Sequence, residues 1–152
     1  MLNGPPQIVR HPSPNHGKRR GTPGPDMVVL HYTAMASAEA AIERLSDPEA
    51  EVSAHYLVAE DGRIVAMVPE EARAWHAGVS CWGRVGDVNS HSIGIELANP
   101  GPMAGGPPFA APQMAALAWL LRSILPRHGI PPERGVGHAC IAPGRKQDPG
   151  PG

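Results

Sequence analysis

The chain has only two cysteines in 152 residues, Cys81 and Cys140. Two thiols cannot build a disulfide framework, and they pair only if the fold brings them together. No apolar run approaches the roughly 20 residues of a membrane span. Residues 1–10 lack the charged stretch followed by an apolar one that directs secretion. Charge of either sign is in short supply too: 13 basic and 14 acidic residues give a net charge of -1. That removes the electrostatic case for nucleic acid or an acidic membrane as partner. These absences predict a cytoplasmic protein; an exported protein trimmed of its leader would read the same and sit in the periplasm.

What is abundant is proline, glycine and histidine: 19, 18 and 8 residues. The first two predict long connections, because apolar blocks recur between them. The third favours metal chemistry. A hydrophobic content of 41% and this length predict one domain with a real core. Residues 1–26 read as an extended arm and 27–152 as the domain proper. Within the arm, the basic run Lys18-Arg19-Arg20 reads as a solvated patch.

Residues 27–30, M-V-V-L, have the length and β-branched content of a buried strand. Residues 37–45 read as a helix capped by Ser37 and ended by Asp47-Pro48. Residues 52–60 and 63–68 read as strands joined at Asp61-Gly62, a strong hairpin signal. Residues 74–78, A-W-H-A-G, are expected to follow a short helical turn, and residues 80–90 to form a loop. Residues 111–125 form the best helix, with Met114, Leu117, Leu121 and Ile124 on its core stripe, Pro112 in its first turn and Pro126 and Gly129 closing it. A short strand at 135–137 follows.

Chemistry-bearing residues concentrate near the end. Residues 136–150, V-G-H-A-C-I-A-P-G-R-K-Q-D-P-G, hold His138, Lys146 and Asp148 in one loop that Gly144 and Pro149 keep from a helix. Histidine and aspartate both serve zinc, although this spacing alone also fits a polar loop with incidental charges. His31 follows the 27–30 strand, at the exit where site residues emerge from a sheet, or is a hydrogen-bonded histidine at the edge of the core. In residues 91–97, H-S-I-G-I-E-L, Ile93, Ile95 and Leu97 alternate with Ser92, Gly94 and Glu96. Glu96 therefore points away from the apolar face, among small residues that leave room beside it. A carboxylate in mid-strand is costly to bury; the alternative is the outer face of an edge strand. His76 reads as exposed by the glycine that follows it, and Asn89 as shaping the loop before Glu96. His55 reads as a packed residue, not a ligand.

Taken in order, L-H-Y-T, S-A-H-Y-L-V-A-E-D-G, A-W-H-A-G, S-I-G-I-E-L and G-H-x-x-I-A-P-G-R-K-x-D-P-G resemble the zinc-dependent N-acetylmuramoyl-L-alanine amidases, most of all the branch that recycles anhydromuropeptides. The resemblance covers residues 28–150. It implies a mixed α/β fold: a single central mixed β-sheet flanked by helices, like that of the peptidoglycan-recognition proteins. It implies one zinc ion held by His31, His138 and Asp148, with a fourth position for water. It implies cleavage of the amide between the lactyl group of N-acetylmuramic acid, or its 1,6-anhydro form, and L-alanine. Glu96 would act as general base and Lys146 as oxyanion stabiliser. His76, Trp82, Asn89 and Arg145 would contact the muropeptide or peptidoglycan, and the protein would work as a monomer. Ala139-Cys140 replace the family's usual Ser-Asp, which touches a hydrogen bond behind the metal; Cys140 is read as a non-ligand. Two other readings use the same residues: a catalytically silent peptidoglycan-recognition module, which would typically lack a ligand, and a metal-storage or metal-sensing protein, which would cluster its histidines.

Overall fold

A computed structural model describes residues 6–22, 24–33, 37–76, 88–99, 110–131 and 135–137. Its spine is two parallel strands, β3 (Met27–Tyr32) and β7 (Ser92–Leu97), paired from Met27↔Ser92 to Tyr32↔Leu97. Around them lies a six-stranded sheet in the order β1-β5-β4-β7-β3-β8. Its other members are β1 (Ile8–Arg10), β4 (Tyr56–Val58), β5 (Ile64–Ala66) and β8 (Gly135–Gly137). Only β4 and β5 are antiparallel within it; the other pairings are parallel, so the sheet is mixed. A second, two-stranded sheet pairs β2 (His16–Lys18) with β6 (Ala72–Ala74). The N-terminal stretch thus contributes a strand to each sheet.

Helices cover both faces, as the resemblance implied. On one side, α3 (Ala111–His128) packs on Val28, Ile93, Ile95 and Leu97. On the other, α1 (Ala38–Leu45) buries Ala38, Ala41 and Leu45 against Leu57, Val65 and Met67. Each fully buried Leu or Ile contributes about 1.5–3 kcal/mol relative to exposure. Ser37 caps α1 as expected, its side chain accepting from the Ala40 N–H at 3.1 Å.

The hairpin falls where Asp61-Gly62 places it. Asp61 Oδ1 accepts from Arg63 N–H at 2.9 Å and Gly62 takes φ +93°. A Cβ at Gly62 would also stand 2.9 Å from the Pro112 carbonyl, so the hairpin tip seats on the start of α3. Both strands are shorter than their hydrophobic pattern. Before β4 the chain leaves the ladder because Ser53 turns to other partners, accepting the Trp75 N–H at 2.8 Å and donating to the Asn15 carbonyl.

Four local expectations need correction. The buried face of α3 is Gln113, Ala116, Leu117, Leu120 and Ile124, whereas Met114 and Leu121 are only partly buried. The stripe is rotated because the Gln113 amide donates to the Val58 and Ala98 carbonyls at 2.9 and 3.1 Å, which draws a polar residue inward. Pro126 lies inside the last turn of the helix, and Gly129, at φ +65°, ends it. No helical turn precedes His76; strand β6 does. The run 80–90 is not all loop, since Val88–His91 forms a one-turn helix, α2, that feeds β7. Among the described residues, no helix is long and apolar enough to cross a membrane.

Candidate active site

The parallel register of β3 and β7 sets His31 directly beside Glu96. Paired residues of neighbouring strands lie about 4.8 Å apart and point to the same side. That side is opposite the one where Ile93, Ile95 and Leu97 meet α3. It holds Ser92, Gly94 and Glu96 from β7 and His31 near the end of β3. Because β7 lies between β4 and β3, Glu96 is on an interior strand. The edge-strand alternative is excluded, and a half-buried carboxylate at the carboxyl end of a parallel pair is what remains.

His31 is 1% exposed. Its Nε2 lies 3.0 Å from Nδ1 of His76, with the two rings nearly perpendicular at 74°. His76 Nε2 lies in turn 2.9 Å from Ser92 Oγ. The expectation of an exposed His76 is wrong: it is 5% exposed. The reason is Gly94. A Cβ there would stand 2.4 Å from Cγ and Cδ2 of the His76 ring, so the imidazole occupies the space where a side chain would be. Asn89 Oδ1 accepts the His76 N–H at 3.1 Å and is itself buried. It thereby ties α2 to the chain after β6.

Behind His76 stands a third imidazole, His55, with ring centroids 6.2 Å apart. Its Nδ1 accepts the Gly94 N–H at 3.0 Å, so the ring hydrogen is on Nε2, which donates to the Ala72 carbonyl at 2.9 Å. Burial is the main reason its pKa falls to about 4, with the Arg19 cation 3.2 Å from Nε2 adding to the effect. His55 is thus a neutral packed histidine with both nitrogens engaged, in line with its reading as a non-ligand.

Arg19 overturns the solvated-patch reading. Its guanidinium turns inward and donates to the carbonyls of Glu70, Asn89, Ser90 and Ser92, the shortest at 2.7 Å. Burial lowers its pKa to about 10 against the pull of Glu70 and Glu71. The carbonyls at the entry to β7 need donors, and the chain supplies them with one planar fork. Sequence pattern carried no signal of this.

Of the expected zinc ligands only His31 is described. His138, Asp148 and Lys146 lie outside the described residues, as do Trp82, Arg145, Cys81 and Cys140. Among the described residues no group of three histidines, cysteines or acids is placed to hold a metal.

A sequence family described as N-acetylmuramoyl-L-alanine amidase matches residues 20–151. The chain is 42% identical over 137 residues to the N-acetylmuramoyl-L-alanine amidase AmiD of Escherichia coli; the match covers 82% of this chain but 49% of that protein, so the chain spans about half of it. It is 35% identical over 159 residues to the 1,6-anhydro-N-acetylmuramyl-L-alanine amidase AmpD of Salmonella typhimurium, covering 93% of this chain and 83% of the relative. The crystal structure of a selenomethionine AmpD derivative is similar at a TM-score of 0.84 and 32% identity, over 95% of this chain and 88% of that one. The AmiD structure, a complex with the substrate anhydro-N-acetylmuramic acid-L-Ala-D-gamma-Glu-L-Lys, is similar at 0.77 and 38% identity, over 90% and 62%. The match extends over nearly the whole length: the chain belongs to the N-acetylmuramoyl-L-alanine amidase family.

Proposed function

We propose that the protein is a zinc hydrolase that cleaves the amide between N-acetylmuramic acid, in particular its 1,6-anhydro form, and L-alanine. The observation that carries this reading is the pairing of His31 with Glu96 on one face at the carboxyl end of β3 and β7. A second register supports it. Leu30 pairs with Gly137 at the end of β8, and His31 and His138 are the next residues of the two segments.

His31, His138 and Asp148 are the proposed ligands of a single zinc ion. His31 fits the role: it is buried at a strand exit, next to a carboxylate, with Nε2 engaged by His76, so ligation would use Nδ1. When bound, zinc supplies positive charge and a water whose pKa falls toward ~7. The chain's own residues do the rest. Glu96 takes the proton of the attacking water and hands it to the L-alanine nitrogen, because an unprotonated amide nitrogen is a poor leaving group. Lys146 offsets the negative charge that develops on the former carbonyl oxygen. Trp82 and Arg145 are proposed substrate contacts, with Asn89 shaping the approach. The same reading places a monomer in the cytoplasm, acting on soluble muropeptides; sedimentation and cell fractionation test both points.

The direct test is digestion of a defined anhydromuropeptide and of intact sacculi side by side, with wild type and Glu96→Gln. Release of the stem peptide that stops with a chelator and returns with zinc is the expected result. Undiminished turnover by Glu96→Gln removes Glu96 from the mechanism. Binding of the muropeptide without any turnover supports the silent recognition module instead.

A further inference from the structure

We propose that His76 is a positioning residue for His31, fixing the orientation and tautomer of a metal ligand. The proposal rests on the zinc reading of His31 given above. It starts from access. At 5% exposure, with its ring seated on Gly94, His76 is buried against β7. Its polar atoms are also committed. Nδ1 faces His31 Nε2 at 3.0 Å, Nε2 faces Ser92 Oγ at 2.9 Å, and the backbone N–H donates to Asn89 Oδ1.

A hydrogen bond between two imidazole nitrogens needs one donor and one acceptor. With ligation through His31 Nδ1, the His31 hydrogen sits on Nε2 and is donated to His76 Nδ1. The His76 hydrogen must then be on Nε2, donated to Ser92 Oγ. Only one direction of donation is left along His31, His76 and Ser92. This does two things at once: it holds the His31 ring in one rotamer, and an accepting partner on the far nitrogen makes a ligand more basic. The rigid element behind the arrangement is β7, which supplies both Ser92 and the glycine under the ring. Ring, acceptor and floor therefore move together with the strand that carries Glu96.

The test measures zinc affinity by chelator competition in wild type, His31→Ala, His76→Leu and His76→Asn, alongside turnover at saturating zinc. Wild type should bind one zinc and His31→Ala should lose it; if His31→Ala binds like wild type, the ligand reading fails, whatever His76 does. With that control in place, His76→Leu should weaken zinc binding by about 10–100-fold while KM stays put. His76→Asn puts an oxygen where Nδ1 was, and should recover most of the loss. An unchanged zinc affinity in His76→Leu, or a raised KM as its only effect, overturns the proposal and returns His76 to the substrate. Nitrogen-15 NMR of zinc-loaded wild type needs no variant: the His76 hydrogen should be on Nε2, and finding it on Nδ1 overturns the proposal even if the variants do not fold.

Discussion

Gly94→Ala is the sharpest probe of how this site is built, because its effect should change sign with its neighbour. The added methyl would lie 2.4 Å from Cγ and Cδ2 of His76 and 2.8 Å from Nδ1. Ordinary carbon contacts begin near 3.5 Å, so the ring must retreat by about 1 Å, which stretches its 3.0 Å bond to His31. Forcing a methyl into a packed site costs about 1–3 kcal/mol. Against this, alanine restricts the unfolded chain and contributes about 0.5–1 kcal/mol wherever the backbone allows it. Gly94 is an extended strand residue and is not among the glycines with positive φ. The single variant should therefore be net destabilised by about 1–2 kcal/mol in urea denaturation of the zinc-free protein. In a His76→Ala background the obstacle is gone, and Gly94→Ala should become neutral or stabilising by up to about 1 kcal/mol. The cycle should thus show a coupling of about 1–3 kcal/mol. Equal destabilisation in both backgrounds would refute the claim that the glycine exists to seat the imidazole.

Other outcomes follow from the same structure. Glu96→Gln should lower kcat by about 10²–10⁴-fold, the usual share of general acid–base catalysis, while zinc content by elemental analysis stays at one per chain. Glu70 should make the protein acid-sensitive. Burial alone would raise its pKa, but hydrogen bonds from Arg127, Tyr56 and His128 outweigh that and hold it at about 2. A carboxyl depressed in the folded state contributes stability above its unfolded pKa near 4.5, and loses it as pH falls from there toward 2. With Arg127 half exposed, the contribution is on the order of 1–2 kcal/mol, and Glu70→Gln should flatten the stability profile across that window. Ser37→Ala should cost about 1 kcal/mol through loss of the α1 cap, visible as a lower urea midpoint at unchanged slope.

Most elements were legible because their causes are local. Alternation in 91–97 placed Glu96 on the face opposite Ile93, Ile95 and Leu97, Asp61-Gly62 placed the hairpin, and Ser37 the start of α1. What escaped was set by distant partners. The α3 stripe is rotated toward Gln113 because its amide donates to two strand-end carbonyls, and a ranking by hydrophobicity puts Met114 there instead. Arg19 reads as solvated next to Lys18 and Arg20; the four backbone carbonyls that claim it come from residues 70–92.

His76 shows where local reading breaks down at the site itself. The small residues of β7 make room on the Glu96 side of the strand, but room in a protein interior does not stay empty at native packing density. The room is filled by an imidazole from the segment after β6, and that segment's own sequence, with glycine two residues past the histidine, points to exposure. The two stretches must be taken together. A strand glycine with no positive φ has no backbone reason to be glycine, so its cause must be something that approaches it closely. Near a candidate ligand histidine, a second histidine is a natural occupant: it packs flat like an aromatic while satisfying a ring nitrogen that burial would otherwise leave costly. Read in that order, the glycine at position 94 is as much a part of the His31 site as the acid two residues further on.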